Sequence, residues 1–257
     1  MKLGRKPEPP RGQHVELRHG SWDVVLNDVT ADTLICDPPY SAQTQEGHAA
    51  AGPGVLGDAA KNKYGSNQVT YNTMSYAHWG PSDVHAFVEF WAPRTVGWMA
   101  VMTDDRLAPC FRDAYEKVGR YAFAPVPIIQ QRPRLVGDGP GSCAVYLMVS
   151  RPRTARFSTW GALPGVYLSA TDKTTQIVSG AKPLSLMRKI VCDYSRVGDV
   201  VCDPCAGGAT TLIAARIERR SAYGAEQDLA TYKLAQNRLA GRHRLSPLQE
   251  ALRFEDW

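Results

Sequence analysis

The four residues Asp37-Pro38-Pro39-Tyr40 carry side chains that could act on the amino group of a flat base. They directly follow residues 33 to 36, a short apolar run that predicts a buried strand ending at a loop. A carboxylate can accept hydrogen bonds from an amino group, a tyrosine ring can stack on a base, and two prolines make the loop rigid. The motif therefore predicts chemistry on an amino nitrogen, and it requires a second site that holds the donor.

A second candidate site follows the predicted strand at residues 199 to 202. Its turn is Asp203-Pro204-Cys205-Ala206-Gly207-Gly208-Ala209, and a helix is predicted to begin at Thr210 and Thr211. Small residues between a strand and a helix let a ligand approach backbone amides and the helix N-terminus. The spacing matches neither the Gly-x-Gly-x-x-Gly motif of dinucleotide sites nor a phosphate loop ending in Gly-Lys-Ser/Thr.

Glu226 ends the next predicted strand, about 20 residues after the glycines, where an acidic side chain can accept hydrogen bonds from both hydroxyls of a ribose. Together with the small-residue turn, this position indicates a nucleoside site. The alternative interpretation is a tight strand-to-helix turn followed by a surface glutamate.

Length and charge set limits on the partners. The chain of 257 residues has room for one large α/β domain with an insertion. Its net charge of +5 modestly favours a polyanionic partner, and an ordinary basic surface explains it equally well. Residues 1 to 14 form a basic, proline-rich tail without the apolar core of a signal peptide, and no apolar run of about 18 residues predicts a membrane span. A cytoplasmic protein without membrane contact is expected.

The six cysteines are scattered, and most lie in apolar stretches, which predicts buried thiols in a reducing compartment. Cys202 and Cys205 have the spacing of a redox or zinc pair, but no second pair accompanies them. No metal site is therefore predicted.

Strand and helix patterns alternate along the chain, which predicts an α/β fold with a mainly parallel sheet and helices on both faces. The predicted strands are residues 32 to 36, 96 to 102, 121 to 129, 143 to 149, 199 to 202 and 222 to 226. The predicted helices lie at residues 84 to 91, 107 to 118, 184 to 194, 210 to 219 and 228 to 240. Residues 130 to 142, rich in Arg, Pro and Gly, are predicted to be a loop.

The two motifs together resemble those of the S-adenosylmethionine-dependent amino-methyltransferases of DNA. The catalytic signature of that family is Asp-Pro-Pro-Tyr, and its cofactor signature resembles Asp-Pro-Phe-Ala-Gly-Ser-Gly-Thr-Thr. Here the catalytic motif precedes the cofactor motif, as in the circularly permuted β class of the family. Lys182-Pro183 ahead of an apolar helix is a third match, and in that class it helps to line the cofactor pocket.

The resemblance spans residues 15 to 240 and implies a Rossmann-like methyltransferase fold with a seven-stranded sheet and a circularly permuted motif order. It implies one methyltransferase domain over residues 15 to 257, with a polar insertion at 41 to 80 and no large separate target-recognition domain. It also implies S-adenosylmethionine as the cofactor.

The roles of the catalytic residues can be argued from physical chemistry beside the resemblance. An exocyclic amino nitrogen is a poor nucleophile because its lone pair is delocalised into the ring. Hydrogen bonds from both amino protons, to Asp37 and to the carbonyl of Pro38, would favour a tetrahedral nitrogen, and Pro39 helps to fix that carbonyl. Tyr40 would stack on the base, which must leave the duplex to reach the site.

The roles of the cofactor residues follow in the same way. Asp203 and the turn through Pro204, Cys205, Ala206 and Gly207 would border the methionine part. Thr210 and Thr211 would cap their helix, and Glu226 would hold the ribose.

The chain departs from the family pattern at four positions, in three places. Cys205 stands where Phe is common, and Gly208-Ala209 replaces Ser-Gly, which puts a methyl group where permissive backbone angles are expected. Upstream, Gly20-Ser21 replaces the usual Gly-Asp and removes a carboxylate, and Asp23 lies nearby.

DNA recognition is expected to involve the polar insertion, as a lid over the flipped base or else as a mobile loop. Candidate contacts are Lys61, Lys63 and Trp79 in the insertion, and Arg132 and Arg134 in the predicted loop, although any single arginine is also explained as a solvated side chain. Residues 151 to 181 are too short for a large recognition domain, so a homodimer is the hypothesis.

The leading hypothesis is methylation of adenine N6 in double-stranded DNA, because Asp rather than Ser begins the Pro-Pro-Tyr motif. Cytosine N4 of DNA is the nearest alternative. RNA or a protein glutamine as substrate, and a non-catalytic nucleic-acid-binding partner subunit with the same fold, are the others.

Overall fold

The computed structural model describes residues 13 to 44, 78 to 134, 140 to 153, 160 to 169 and 181 to 241, with the backbone alone for residues 131 to 134. The chain divides into two compact units. The first unit contains residues 1 to 36, 94 to 100 and 172 to 257, and the second contains residues 37 to 93 and 101 to 171. The single domain expected over residues 15 to 257 stays a prediction.

The first unit is built on parallel strands. Strand β1 (Val15–His19) pairs with β9 (Ser221–Glu226), β9 pairs with β8 (Val200–Asp203), and β8 pairs with β2 (Thr33–Cys36). All four residues of β2 are buried, as a continuous apolar run predicts for a strand covered on both faces. The amide of Leu34 donates to the carbonyl of Trp98 at 2.9 Å, so the segment that leads into the next strand lies along β2.

The described residues of the first unit form four helices: α1 (Trp22–Val25), α4 (Leu184–Tyr194), α5 (Thr210–Ile217) and α6 (Leu229–Leu239). Helix α5 packs on α4 and on β8 and β9, while α6 packs on β1 and β9. Asp228 caps α6 by accepting a hydrogen bond from the amide of Thr231 at 2.8 Å.

The chain passes from the first unit to the second within strand β3 (Met99–Thr103), and the last three residues of this strand belong to the second unit. Strand β3 neighbours β6 (Ser142–Pro152), which pairs antiparallel with β4 (Arg120–Ala122) and with β5 (Val126–Arg134). Strand β5 pairs in parallel with β7 (Tyr167–Ser169).

Helices α2 (Pro81–Trp91) and α3 (Ala108–Lys117) pack on one another in the second unit. Within the described part of the chain, none of the helices has the length and apolar character to cross a lipid bilayer. The predicted α/β fold is confirmed, as a mixed sheet with helices on both faces.

The described residues form nine strands, whereas the family resemblance implied a seven-stranded sheet. The strand predicted at 121 to 129 is divided into β4 and β5, because Pro125 lies in the interruption and has no N–H to donate to a ladder. The loop predicted at 130 to 142 is wrong at both ends: β5 runs to Arg134 across a shift in register, and β6 begins at Ser142. The polar composition of that stretch gives no apolar pattern from which strand pairing could be predicted.

Candidate active site

In the second unit, Asp37-Pro38-Pro39-Tyr40 follows the buried strand β2 as predicted. Pro38 is buried, and the other three residues are half-buried. The hydroxyl of Tyr40 donates to Oδ1 of Asp37 at 2.9 Å, and the carbonyl of Tyr40 accepts from the amide of Trp79 at 3.1 Å. The loop therefore carries a carboxylate and an aromatic ring that already contact one another.

A buried carboxylate that the sequence patterns did not single out, Asp104, lies directly after β3. Its Oδ2 accepts hydrogen bonds from the amide of Ser41 at 3.0 Å, the hydroxyl of Ser41 at 2.5 Å and the hydroxyl of Thr44 at 2.6 Å. Its Oδ1 accepts from the amide of Leu107 at 3.0 Å. Burial opposes ionisation, but these hydrogen bonds hold the pKa of Asp104 below its ordinary value.

The predicted DNA contacts are described only in part. The ring of Trp79 packs on Phe87 of α2 with centroids 5.1 Å apart. Lys61 and Lys63 lie outside the described residues, as does most of the predicted insertion. Arg132 and Arg134 belong to β5 rather than to a loop.

In the first unit, the predicted cofactor turn follows β8. Asp203 is buried, and its Oδ1 accepts from the amide of Cys205 at 3.2 Å. The amide of Ala206 donates to the carbonyl of Ala225 at 2.9 Å, which joins the turn to β9. Gly207 has φ +51°, and a Cβ added there would have no described atom within 4 Å. The turn therefore borders open space that a ligand can fill.

Ala209 occupies the left-handed region at φ 59° and ψ 29°, and its side chain is fully buried. This conformation costs a residue with a Cβ about 1–2 kcal/mol. The methyl group of Ala209 therefore lies at a position where glycine would have no such backbone strain. Ala209 is also the N-cap residue of α5. The prediction that Thr210 and Thr211 cap the helix is therefore wrong, because the chain turns one residue earlier and both threonines are buried inside the helix.

Arg238 of α6 holds this turn and was missed from the sequence. Its Nη1 donates to the carbonyl of Gly208 at 2.6 Å and to Oγ1 of Thr210 at 3.0 Å. Burial lowers the pKa of Arg238 to about 10, which leaves it protonated at neutral pH. The available sequence signal was a basic residue near the end of the predicted helix at 228 to 240. Such a position does not reveal which turn the side chain contacts.

Glu226 is the last residue of β9, as predicted. Burial raises the pKa of its carboxyl group, and the backbone N–H groups of Asp228, Gly207 and Gln227 oppose the shift. The amide of Asp228 donates to Oε1 at 2.7 Å. A Cβ at Gly224, two residues earlier, would lie 2.8 Å from Leu212, so glycine lets α5 lie close to β9.

Lys182 and Pro183 precede α4, also in the first unit. Pro183 is the N-cap residue, and its carbonyl accepts from the amide of Met187 at 3.1 Å. Lys182 is half-buried. The first unit thus contains every residue that was predicted to bind the cofactor.

The prediction that most of the cysteines are buried is confirmed for only part of the set. Cys36 and Cys202 are buried, whereas Cys143 and Cys192 are exposed because they lie on the outward faces of a strand and a helix. None of the six cysteines, all of which lie in described residues, forms a disulfide, and burial raises the pKa of Cys202 well above its ordinary value. No group of three or more His, Cys, Asp or Glu side chains in the described ranges is arranged to hold a metal ion.

Chemically, the first unit places two carboxylates, Asp203 and Glu226, at the ends of the paired parallel strands β8 and β9, beside a small-residue turn. Ligands of α/β proteins bind at the carboxyl ends of such strands. The second unit offers hydrogen-bond acceptors and an aromatic ring on a rigid loop. These are the groups that a nucleoside and a base amino group require.

Comparison with known proteins shows which proteins the chain is similar to and supports the fold. Residues 153 to 237 match the N6/N4 methyltransferase family model, described as DNA methylase. This match contains Lys182, the Asp203 turn and Glu226, and begins after the Asp37 loop. A stretch of 74 residues is 35% identical to the type II methyltransferase M.HindIII of Haemophilus influenzae and covers 29% of this chain. It spans 23% of that relative's length.

Two solved structures share the fold. The M1.HpyAVI complex with SAM superposes with a TM-score of 0.61 at 18% identity, over 88% of this chain and 98% of that chain. The cytosine-N4-specific PvuII DNA methyltransferase gives a TM-score of 0.61 at 10% identity, over 88% of this chain and 86% of that chain. The predicted Rossmann-like methyltransferase fold and the resemblance to the amino-methyltransferases of DNA are confirmed. The circular permutation stays a prediction.

Proposed function

We infer that this chain is an N6/N4-type DNA methyltransferase, and we propose that it transfers a methyl group from S-adenosylmethionine to N6 of a flipped adenine in double-stranded DNA. The observation that carries the proposal is the loop Asp37-Pro38-Pro39-Tyr40 at the end of a buried strand. The family match over residues 153 to 237 supports the cofactor half of the same proposal.

The cofactor fits the residues of the first unit. The open space beside Gly207 would take a ligand in contact with the backbone of the turn. Glu226 would accept hydrogen bonds from the ribose hydroxyls, and Asp203, Lys182 and Pro183 would border the rest of the molecule. When bound, S-adenosylmethionine supplies a methyl group on a positively charged sulfur, which becomes a neutral thioether after transfer.

The catalytic residues make a planar amino group reactive. Asp37 and the Pro38 carbonyl accept hydrogen bonds from its two N–H groups, which favours the tetrahedral nitrogen and directs the lone pair away from the ring. The prolines restrict the backbone of the loop, so the carbonyl keeps its direction without further ordering. Tyr40 stacks on the extruded base and offsets part of the unstacking cost of a few kcal/mol. The proton released from nitrogen leaves through Asp37 or water.

The choice of adenine rests on Asp37 at the start of the motif. The fold does not discriminate between the bases, because the similar PvuII enzyme is specific for cytosine N4. Cytosine N4 is therefore the second candidate. The motif order along the chain favours the permuted β class, and we propose a homodimer because no large recognition domain is predicted. Light scattering that gives a monomer with and without DNA would contradict the dimer.

One experiment tests the activity and the target atom. The protein is incubated with methyl-labelled S-adenosylmethionine and unmethylated DNA or RNA, and the digested nucleosides are identified by mass spectrometry. We expect labelled N6-methyldeoxyadenosine from DNA. N4-methyldeoxycytidine would overturn the choice of base but keep the reaction class, whereas label in RNA alone would overturn the DNA substrate. Tight DNA binding without label would indicate a non-catalytic subunit.

A further inference from the structure

We propose that Asp104 is a positioning residue that fixes the peptide directly after Tyr40 in the geometry that methyl transfer needs. This inference rests on the function proposed above. It concerns a carboxylate that is 1% exposed and lies 63 residues away in sequence from the Ser41 whose amide it binds. A buried carboxylate with this many hydrogen-bond partners holds other segments of the fold in place, and most of its partners lie directly after the catalytic loop.

The peptide between Tyr40 and Ser41 is held at both of its polar ends. Its N–H, on Ser41, donates to Oδ2 of Asp104 at 3.0 Å. Its C=O, on Tyr40, accepts from the amide of Trp79 at 3.1 Å. Since a peptide unit is planar, fixing both ends sets the direction in which the backbone leaves Tyr40. The orientation of the Tyr40 ring toward a base depends on that direction.

The hydroxyls of the same segment strengthen this attachment. Ser41 and Thr44 both donate to Oδ2, so one oxygen atom accepts three hydrogen bonds from these two residues. Hydrogen bonds to a charged acceptor are stronger than those between neutral groups. The segment after the catalytic loop is therefore attached to one side chain.

Asp104 is itself anchored on rigid elements. It directly follows β3, a strand whose five residues are all buried. Its Oδ1 accepts from the amide of Leu107, and its carbonyl accepts from the amide of Ala108, the first residue of α3. A catalytic group is held most accurately when its supports are locked by regular elements. Asp104 provides that support from the end of a strand and the start of a helix.

An asparagine cannot replace this carboxylate fully, although it has nearly the same shape. Its amide nitrogen must face either the three donors of the Ser41 to Thr44 segment or the N–H of Leu107. In either orientation a donor meets a donor, and at least one hydrogen bond is lost. Asp104→Asn is therefore a minimal change that loosens the attachment.

The test compares Asp104→Asn with Asp105→Asn, which changes the exposed neighbour in the same way. We measure kcat with saturating DNA and cofactor, the Kd for S-adenosylmethionine by calorimetry, and the melting temperature. We expect Asp104→Asn to lower kcat by about tenfold or more, because small misplacements of reacting groups have effects of that size. The Kd should stay within about twofold of wild type, and Asp105→Asn should match wild type in all three measurements.

The variants Ser41→Ala and Thr44→Ala each remove one hydroxyl donor and keep the other contacts. We expect each to lower kcat several-fold without changing the Kd, and these variants decide the question if Asp104→Asn fails to fold. Unchanged kcat in both, or a loss of cofactor binding that parallels the loss of kcat, would overturn the proposal. If the wild type transfers no methyl group, the proposed function fails; if it does and all variants match it, this inference alone fails.

Discussion

The hydroxyl of Tyr40 donates a hydrogen bond to Oδ1 of Asp37 at 2.9 Å, so the two reactive side chains of the loop contact one another. The contact aligns the ring beside the carboxylate across two prolines. A base amino group that binds Asp37 must therefore share the carboxylate with the tyrosine hydroxyl or displace that hydroxyl. The aromatic face of Tyr40, rather than its hydroxyl, is expected to carry base binding.

Substitutions of Tyr40 separate the ring from the hydroxyl. Tyr40→Phe keeps the stacking surface, so we expect kcat/KM for DNA within about threefold of wild type. Tyr40→Ala removes the ring, and a lost base stack of about 1–3 kcal/mol should lower kcat/KM by about 5- to 150-fold. Steady-state methylation of DNA checks both values. If Tyr40→Phe is as impaired as Tyr40→Ala, the hydroxyl is the active group and the stacking role is wrong.

Arg238 is expected to control cofactor affinity through the turn that it holds. Arg238→Met keeps much of the apolar stem but removes the donor to Gly208 and Thr210, and an unsatisfied buried group costs about 1–3 kcal/mol. We expect the Kd for S-adenosylmethionine to rise by about 5- to 150-fold in calorimetry. Arg216→Met is the matched control, since Arg216 also donates to a carbonyl, that of Leu239, but at an exposed position. Equal effects in both variants would contradict the role of Arg238.

The left-handed conformation of Ala209 predicts an unusual response to glycine. Ala209→Gly loses a buried methyl worth about 0.8 kcal/mol but relieves about 1–2 kcal/mol of backbone strain, so the free energy of unfolding should be nearly unchanged. Ala215 is equally buried but helical, and Ala215→Gly should cost about 1–2 kcal/mol. Urea unfolding of both variants measures the difference. Equal destabilisation would show that Ala209 is not strained.

Glu226 is expected to lower the free energy of unfolding of the ligand-free protein while it strengthens cofactor binding. Burial raises the pKa of its carboxyl group above the unfolded value, so its stabilising contribution is present at low pH and is lost as the pH rises through the folded pKa. At pH 7, Glu226→Gln should therefore raise the free energy of unfolding without ligand while weakening cofactor binding. The stability gain should vanish as the pH falls through the pKa of Glu226.

Glu218→Gln is the matched control for this pH dependence. Burial opposes ionisation of Glu218, but its hydrogen bond with Arg188 holds its pKa below the ordinary value. Its stabilising contribution is therefore present at pH 7 and lost in acid, so Glu218→Gln should lower stability at neutral pH. A stability loss of the same sign in Glu226→Gln would contradict the effect attributed to burial.

Local sequence predicted the elements that depend on local patterns. The apolar run before Asp37, the small-residue turn after β8 and the acidic end of β9 all appear where their composition indicates. Asp104 and Arg238 could not be found in this way, because their partners lie 63 and 30 residues away in sequence and meet them only through folding. Strand β5 was shortened in the prediction because its polar second half gives no apolar signal.

The most direct test of the central claim is methyl transfer to DNA by the wild type and by Asp37→Ala, with cofactor affinity measured on the same preparations. We expect the wild type to label an amino nitrogen of DNA. Asp37→Ala should reduce transfer to background while the Kd for S-adenosylmethionine stays within about threefold, since Asp37 acts on the target amino group. Undiminished transfer by Asp37→Ala would contradict the account, as would a wild type that binds the cofactor and DNA without transferring a methyl group.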